Sequence, residues 1–268
     1  MKNISLILLF TIITTFCSAQ SQEYSFSEKY NVDVPAKLSI VLEDGDISVF
    51  SSNEPGIRVN LIAKINKKLI KIDRIELEKH FTIEIKKSHN SIMIVSKPTQ
   101  KENNKRWNNR IILSFEVIVP KTTSCGLYTV DGNISVKNLQ ANQKCRTVDG
   151  DIHLTNIRGI VSAITSDGNV SFKDIEGDFT AVSNNGNMSG SLSVLTEAIS
   201  IKTLDGDIKV ALPKGPGLNL DLSADKIDTN FDNFIGKIRG SYVKGELDGG
   251  GIPVNISTLD GDLRLDFI

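Results

Sequence analysis

Cysteine, tryptophan and histidine are scarce in this 268-residue chain, which has three, one and three of them respectively. Three cysteines are too few for the disulfide framework of a small stapled domain. The histidines, at positions 80, 89 and 153, have no metal-ligand spacing, and no nucleophile elbow is present. Aromatic residues make up only 6%, which leaves no stripe of rings for stacking against sugars. The sequence therefore names no catalytic, cofactor-binding or metal-binding residue, and its ligand-binding residues are unknown.

The chain also lacks a strong net charge and, beyond its first residues, a long apolar run. A formal net charge of -1 gives no whole-molecule attraction to nucleic acid, so no nucleic-acid partner is predicted. No later stretch of about 18 apolar residues appears, so no transmembrane segment is predicted. With 40% hydrophobic and 24% charged residues, the composition is neither disordered nor collagen-like. Abundant Ile and Val with 20 glycines favour strands and tight turns.

Residues 1–19 have the pattern of a secretory signal peptide. Lys2 precedes an apolar stretch, and the small-residue sequence Cys17-Ser18-Ala19 follows, which predicts cleavage after Ala19. Lipidation of Cys17 is disfavoured because Phe16 occupies the position that lipoprotein processing reserves for a small residue. The chain is expected to be exported, to a periplasmic, outer-surface or extracellular location, as a soluble or surface-associated protein.

The dominant signal is an internal repeat of the form Asp/Asn-Gly-Asp/Asn-apolar-x-apolar. It recurs around seven glycines, which are Gly45, Gly132, Gly150, Gly168, Gly186, Gly206 and Gly261. The four from Gly132 to Gly186 are each 18 residues apart, the next step is 20, and the last is 55. The last interval is close to three units and predicts degenerate copies, including the Leu247–Gly251 segment.

Alternating apolar positions flank each glycine, which predicts two short strands that share one buried face. Asp-Gly supplies a sharp corner between them, because glycine accepts a positive φ and Asp or Asn bonds nearby backbone. One unit cannot bury its own apolar face, whereas stacked units can. We therefore predict an all-β fold, a parallel β-solenoid (β-helix) with coils of about 18 residues. One buried column is expected to contain Thr129, Thr147, Thr165, Ser183, Thr203 and Thr258.

The segment before the regular repeat is predicted to elaborate the first coils. Phe81 to Ile85 and Ile92 to Ile94 alternate around a polar break, which predicts a hairpin. A polar loop around Trp107 follows, and then a strand that Pro120 stops. The predicted organisation is a signal peptide at 1–19, a β region with a basic hairpin and loop insertion at 20–123, continuous with the solenoid, and the repeat domain at 124–268.

At these repeats the chain resembles the bacterial DUF4097 family of β-strand-repeat proteins, which is associated with adhesins. The resemblance rests on the coil at Thr203–Val210, the Leu-Pro-Lys-Gly break at 212–215, and the closing coil at Thr258–Leu265. It covers roughly residues 36–268 and departs from the family in the basic stretch before Leu113. The resemblance implies a β-helical envelope or surface protein, and it implies no established catalytic residues.

Charge is unevenly distributed along the chain. Lys64–Arg110 contains 13 Lys and Arg against 5 Asp and Glu, whereas residues 111–268 contain 14 against 20. The basic stretch is either a solvated hairpin face with its loop, the favoured interpretation, or a peripheral contact for anionic lipids or polysaccharide.

Two clusters allow both a structural and a chemical interpretation. Asp and Asn precede and follow each corner glycine, so stacked coils would bring carboxylates within about 5 Å. Turn chemistry is the favoured explanation, and Ca²⁺ binding is the alternative.

Cys125 and Cys145 belong to neighbouring coils but are offset by two residues, which places them beyond ordinary disulfide reach in regular stacking. Two buried thiols are favoured over a bond.

The predicted function is binding without catalysis, as a secreted or cell-envelope adhesin or surface-binding protein whose partner is an envelope polymer, a glycan or a protein. Outward positions such as Ser135, His153, Ser171 and Lys209 are expected to share one face. An alternative is a structural or stress-sensing envelope module that docks a protein partner. A polysaccharide-active β-helix enzyme is less favoured, because the acids repeat at corners and do not form one unique constellation.

Overall fold

The computed structural model describes residues 25–106 and 109–268 and is almost entirely β-structure. The predicted signal peptide, Cys17 and Trp107 lie outside the described residues. Within the described ranges no helix has the length and apolar character needed to cross a membrane.

The strands form two sheets of twelve strands each. The first, sheet A, contains β1 (Phe26–Tyr30), β3 (Ile47–Ser52), β4 (Ile57–Ile65), β5 (Lys68–Leu69), β8 (Ile111–Pro120), β10 (Ile134–Leu139), β12 (Ile152–Arg158), β14 (Val170–Glu176), β16 (Met188–Val194), β18 (Ile208–Leu212), β20 (Lys226–Thr229) and β24 (Asp262–Phe267). Its spatial order is β1-β4-β8-β3-β10-β12-β14-β16-β18-β24-β20, with β5 beside β4.

The second, sheet B, has the spatial order β21-β22-β19-β23-β17-β15-β13-β11-β9-β2-β7-β6. Its strands are β2 (Lys37–Leu42), β6 (Phe81–Lys87), β7 (Ser91–Pro98), β9 (Ser124–Tyr128), β11 (Gln143–Arg146), β13 (Val161–Ile164), β15 (Phe179–Val182), β17 (Ile199–Asp205), β19 (Leu218–Ser223), β21 (Phe234–Arg239), β22 (Tyr242–Leu247) and β23 (Ile252–Asp260). Within the described residues the strands are accompanied by two single-turn helices, α1 (Arg74–Leu77) and α2 (Gln100–Asn103).

Between β9 and β18 the chain alternates between the sheets, so that each coil places one strand in sheet B and the next in sheet A. Neighbouring coils pair in parallel with the predicted 18-residue offset, as in Ile134 with Ile152 and Ile152 with Val170. The all-β class and the parallel pairing of the repeats are therefore confirmed. Both sheets are open, with edges at β1 and β20 in sheet A and at β6 and β21 in sheet B.

The core lies between the two sheets and is built from the alternating apolar residues. Inward positions of each strand are buried and outward positions are partly or fully exposed, as the period-two pattern predicts. Phe172 of β14 and Phe179 of β15 bring their ring centroids to 4.5 Å, which joins sheet A to sheet B through direct contact. Each such side chain contributes about 2 kcal/mol of hydrophobic stabilisation when fully buried.

At the N-terminal end, the order of the coils along the chain differs from their order in the stack. The Gly45 coil, β2 and β3, lies between the β7–β8 coil on one side and the β9–β10 coil on the other. The intervening residues extend both sheets with antiparallel strands, β4 and β5 in sheet A and β6 in sheet B, and α1 lies between β5 and β6 in the chain. The predicted hairpin is confirmed as the antiparallel pair β6–β7, and the predicted strand before Pro120 is β8.

At the C-terminal end the last coil in sequence, β23 and β24, lies between the β17–β18 coil and the β19–β20 coil. The 55-residue interval from Gly206 to Gly261, predicted as close to three units that hold degenerate copies, therefore does not stack as successive coils. The Gly206 N–H donates directly to the Asp260 carbonyl at 2.9 Å, because these two corners match each other in register. The intervening residues form one outer coil and the antiparallel hairpin β21–β22, and Leu247–Gly251 is the turn after that hairpin.

Candidate functional site

The residues that follow the corner glycines form a ladder of side-chain to backbone hydrogen bonds. The Asp151 N–H donates to Asn133 Oδ1 at 2.8 Å, and the Asn169 N–H donates to Asp151 Oδ1 at 2.7 Å. The same bond recurs from Asn133 to Asp46, from Asn187 to Asn169, from Asp207 to Asn187 and from Asp262 to Asp207. Each side-chain oxygen therefore satisfies a backbone donor of the next coil, which is the structural role that favours Asp or Asn at this position.

The residues that precede the corner glycines stack in a second column. The backbone of Asp131 forms parallel β-bridges with Asp44 on one side and with Asp149 on the other. Burial, and then the nearby Asp149 carboxylate, raise the pKa of Asp131. Burial and the Asp131 carboxylate likewise raise the pKa of Asp44, although Arg110 opposes this. Further along, Asn185 relieves the repulsion by donating its amide to Asp167 Oδ1 at 2.6 Å.

Within residues 25–106 and 109–268, no group of three or more His, Cys, Asp or Glu is placed to hold a metal ion. Side-chain oxygens in the column after the glycines already accept backbone N–H bonds from the next coil, and Asp167 in the preceding column accepts the Asn185 amide. The corner geometry is thus accounted for by turn chemistry, and the Ca²⁺ alternative stays a prediction.

The threonine column is confirmed and supports the same corners from inside. Thr165 Oγ1 donates to the Gly150 carbonyl of the preceding coil at 3.1 Å, and Thr258 Oγ1 donates to the Gly206 carbonyl at 2.8 Å. Equivalent bonds link Thr129 to Gly45, Thr147 to Gly132, Ser183 to Gly168 and Thr203 to Gly186. The buried hydroxyls are therefore satisfied and belong to the scaffold.

A third ladder was missed by the sequence reasoning. Asn138, Asn156 and Asp174 each adopt a left-handed conformation, with φ of 61°, 53° and 54°. The Asn156 side-chain amide donates to Asn138 Oδ1 at 2.9 Å. Their 18-residue spacing was the available signal, since Asn and Asp tolerate this backbone region better than other side chains.

The two described cysteines are buried free thiols on neighbouring strands. Cys125 pairs in register with Gln143, and Cys145 pairs with Leu127, which is the predicted offset of two residues. Burial raises the pKa of Cys125 well above its ordinary value and that of Cys145 to about 12. Both thiols are therefore protonated at neutral pH and behave as small apolar side chains.

The predicted outward face of sheet A is present as a continuous row. Ser135 pairs with His153, His153 with Ser171, Ser171 with Ser189, and Ser189 with Lys209. His153 Nδ1 lies 2.5 Å from Ser171 Oγ, so these two neighbours in the row are hydrogen-bonded to each other.

The basic stretch Lys64–Arg110 contains a buried ion cluster around Glu102, whose side chain is 1% exposed. Glu102 Oε2 lies 2.6 Å from both His80 Nδ1 and Lys105 Nζ, and Oε1 accepts the Ile111 N–H at 2.8 Å. Burial opposes ionisation, but these hydrogen bonds outweigh it and lower the pKa of Glu102. The cluster fixes α2 and the loop after it against β8.

Other cations of the stretch form exposed pairs, which are Arg74 with Glu78, Lys79 with Glu76 and Lys86 with Glu84. Exposed pairs of this kind contribute little to stability. They partly neutralise the basic surface, in agreement with a solvated face. Peripheral contact with an anionic surface through this stretch stays a prediction.

A groove on the outer face of sheet B was also missed. It encloses about 620 Å³ and is defined by Lys37, Ser39, Met93, Gly126, Lys144 and Ile160. We call it the Gly126 groove. It lies over β7, β2, β9, β11 and β13, and no Asp or Glu is among the residues that line it.

A second cavity of about 400 Å³ lies at the C-terminal end of the stack, where the regular repeat is interrupted. Asp232, Asp248 and Asp266 line it together with Phe267. The ring of Phe231 lies 4.9 Å from that of Phe234 and 6.1 Å from that of Phe267. Sequence reasoning missed this aromatic cluster, because Phe267 is distant in the chain from Phe231 and Phe234.

No family model matches the chain, and no curated protein matches it. One similar solved structure is a "putative cell adhesion protein" from Clostridium sporogenes, with 15% identity, a TM-score of 0.40, and coverage of 91% of this chain and 99% of that one. Another is a "putative adhesin" from Bacteroides fragilis, with 10% identity, a TM-score of 0.43, and coverage of 91% and 96%. Likeness at this level carries no argument about function.

Proposed function

We propose that this chain is an exported, non-catalytic surface-binding protein that holds an extended polymer of the cell envelope. The observation that carries the proposal is the in-register alignment of outward residues across neighbouring parallel strands, as in the row from Ser135 to Lys209. Such rows form long, regular faces that suit a repetitive ligand.

The two sheets with their shared core and 18-residue coils support a β-solenoid with a DUF4097-like organisation. In this proposal residues 1–19 are the leader, residues 20–123 contain the N-terminal elaboration, and residues 124–268 are the repeat domain. The interleaving of the Gly45 coil with later coils supports one continuous solenoid across that boundary.

Binding is favoured over catalysis because the carboxylates after the corner glycines and the buried Glu102 are used in scaffold contacts. The Asp and Asn side chains after the glycines accept backbone N–H bonds of the next coil, and Glu102 is enclosed by His80, Lys105 and a backbone N–H. A catalytic constellation would place such groups around an accessible substrate position.

A second candidate is a module that docks a protein partner through its C-terminal end. Two apolar side chains of β21 favour it, since Ile235 is 77% exposed and Ile238 is 62% exposed. Exposed apolar residues on an edge strand are suited to protein contact.

Co-sedimentation of the exported chain with insoluble envelope polysaccharides tests the proposal, with reducing-end release measured in the same samples. We expect the protein to pellet with at least one polymer and to release no product. Product release would show an enzyme. Failure to pellet, combined with co-purification of a stoichiometric protein partner, would favour the docking module.

A further inference from the structure

Gly126 differs from the corner glycines in having no structural requirement for glycine. Gly132 and Gly150 have positive φ, and a Cβ on either would lie within 2.3 Å of a backbone oxygen. Gly126 lies in the middle of β9, and a Cβ built there would meet no atom within 4 Å. Glycine inside a strand costs about 0.5–1 kcal/mol relative to alanine. Open space over a strand glycine marks a place where another molecule approaches the backbone.

We propose that the Gly126 groove binds a linear acidic polysaccharide. This inference rests on the proposed function and names both the site and the chemical class of the polymer. The groove crosses five neighbouring strands, which corresponds to a length of about 19 Å at the normal strand spacing. That length suits several sugar units of an extended chain.

Charge selects an acidic ligand. Lys37 and Lys144 line the groove on either side of Gly126, and no carboxylate lines it. This contrasts with the acidic excess of residues 111–268. The ammonium groups of the two lysines, beside the bare backbone of Gly126, attract carboxylate or sulfate substituents. Met93 and Ile160 supply apolar contacts for sugar rings.

Strand pairing argues against an extended peptide. A peptide that binds a sheet usually adds to a free edge through main-chain hydrogen bonds. The strands beneath the groove, from β7 to β13, are interior strands with a neighbour on each side. Recognition there depends on side chains such as Ser39, Ser162 and the two lysines, which suits hydroxyl and carboxylate groups of a saccharide.

The test measures binding of polygalacturonate oligosaccharides to the exported chain by calorimetry, with maltooligosaccharides and poly-glutamate as comparison ligands. Gly126→Ile places a branched side chain on the groove floor, and Thr180→Ile places the same side chain on the same outward row three coils beyond, outside the groove. We expect Gly126→Ile to weaken polygalacturonate binding by roughly tenfold or more and Thr180→Ile to leave it unchanged.

Substitution of the two groove lysines provides an independent test. Lys37→Gln with Lys144→Gln should weaken binding by a similar factor and reduce its dependence on ionic strength, whereas Lys173→Gln, on sheet A outside the row from Ser135 to Lys209, should do neither. Melting temperatures accompany each titration. Because a Cβ at Gly126 would meet no other atom, Gly126→Ile should fold as the parent protein does. If it does not, the lysine variants alone test whether the groove binds the polysaccharide.

The outcomes separate the two proposals. Wild-type binding to an envelope polymer that survives both sets of groove variants would overturn the groove while the proposed function stands. Preference for maltooligosaccharides or poly-glutamate over polygalacturonate would overturn the acidic-saccharide assignment. Absence of binding to every polymer in the sedimentation panel would overturn the proposed function and the groove together.

Discussion

Glycine serves two different purposes within a short distance in this chain. At Gly150 the backbone has a φ of 152°, and the Gly132 carbonyl oxygen would lie 2.1 Å from a Cβ, so a side chain is excluded both by conformation and by space. At Gly126 neither restriction applies. Residue identity is therefore set by scaffold geometry at the corners, and by accessibility on the outer face of sheet B.

Alanine substitutions at these two glycines should change stability in opposite directions. We expect Gly126→Ala to raise the free energy of unfolding by about 0.5–1 kcal/mol, because alanine has less backbone freedom to lose. Gly150→Ala should lower it by about 2 kcal/mol or more, because of backbone strain and a clash. Urea denaturation of the two variants measures both effects, and a destabilised Gly126→Ala variant would contradict the open-space interpretation.

The corner carboxylates should make stability depend on pH in an identifiable direction. The pKa of Asp131 is raised above its ordinary value of 3.8 by burial and by Asp149. An acid whose pKa is higher in the folded state is destabilising once ionised, so its contribution worsens as the pH rises from 3.8 through the raised value.

Asp131→Asn should therefore raise the melting temperature at pH 7 and have little effect at pH values below the ordinary pKa. Asn185 already occupies the equivalent position in another coil, so the substitution fits the corner. Thermal melts of both proteins across this pH range measure the difference. An equal effect at both ends of the range would show that removal of the charge is not the cause.

At the scale of strands, the stacking order differs from the order along the chain at both ends. The last strand, β24, pairs with β18 on one side and β20 on the other, whereas β21 pairs with β22 alone. Position in the sequence thus says little about exposure. Chain termini usually fray, but here the C-terminal strand lies inside the sheet.

Hydrogen exchange should reveal this arrangement. We expect the amides of β24 to exchange roughly 100-fold or more slowly than those of β21, although β24 is the last strand of the chain. Mass spectrometry of peptides from the two strands measures the ratio. Equal or faster exchange in β24 would place it at an edge and contradict the interleaved order.

The repeat made much of this architecture predictable. Corner spacing predicted the coil length, the buried columns, the threonine ladder and the offset of Cys125 from Cys145. Stacking order was not predictable, because every coil with a Thr-x-Asp-Gly-Asp corner is a suitable neighbour for every other. The Gly126 groove was not predictable either, since an open glycine and a conformationally required one look identical in sequence.

For the whole molecule, regular repetition makes the central units interchangeable. Residues 151–168 contain β12 and β13, one strand from each sheet. Removal of these residues would bring Gly150 directly before Asn169 and allow β10 to pair with β14 in the register that β12 uses now. Stability of such an array is approximately the sum of its units and their interfaces.

Deletion of residues 151–168 should therefore leave a folded, cooperative protein whose melting temperature is lower by roughly 5–10 °C. Deletion of residues 160–168 alone removes the sheet B strand but leaves its partner in sheet A, so that protein should not fold cooperatively. Circular dichroism during heating distinguishes the two. Cooperative melting of the shorter deletion would show that the two sheets do not depend on each other coil by coil.

The position of β23 and β24 within the stack also affects the order of folding during synthesis. The β19–β20 coil and the hairpin β21–β22 depend on these two strands but precede them along the chain. Residues 218–247 therefore leave the ribosome before the surface on which they pack exists. They can complete their structure only once residues 252–267 have followed them out.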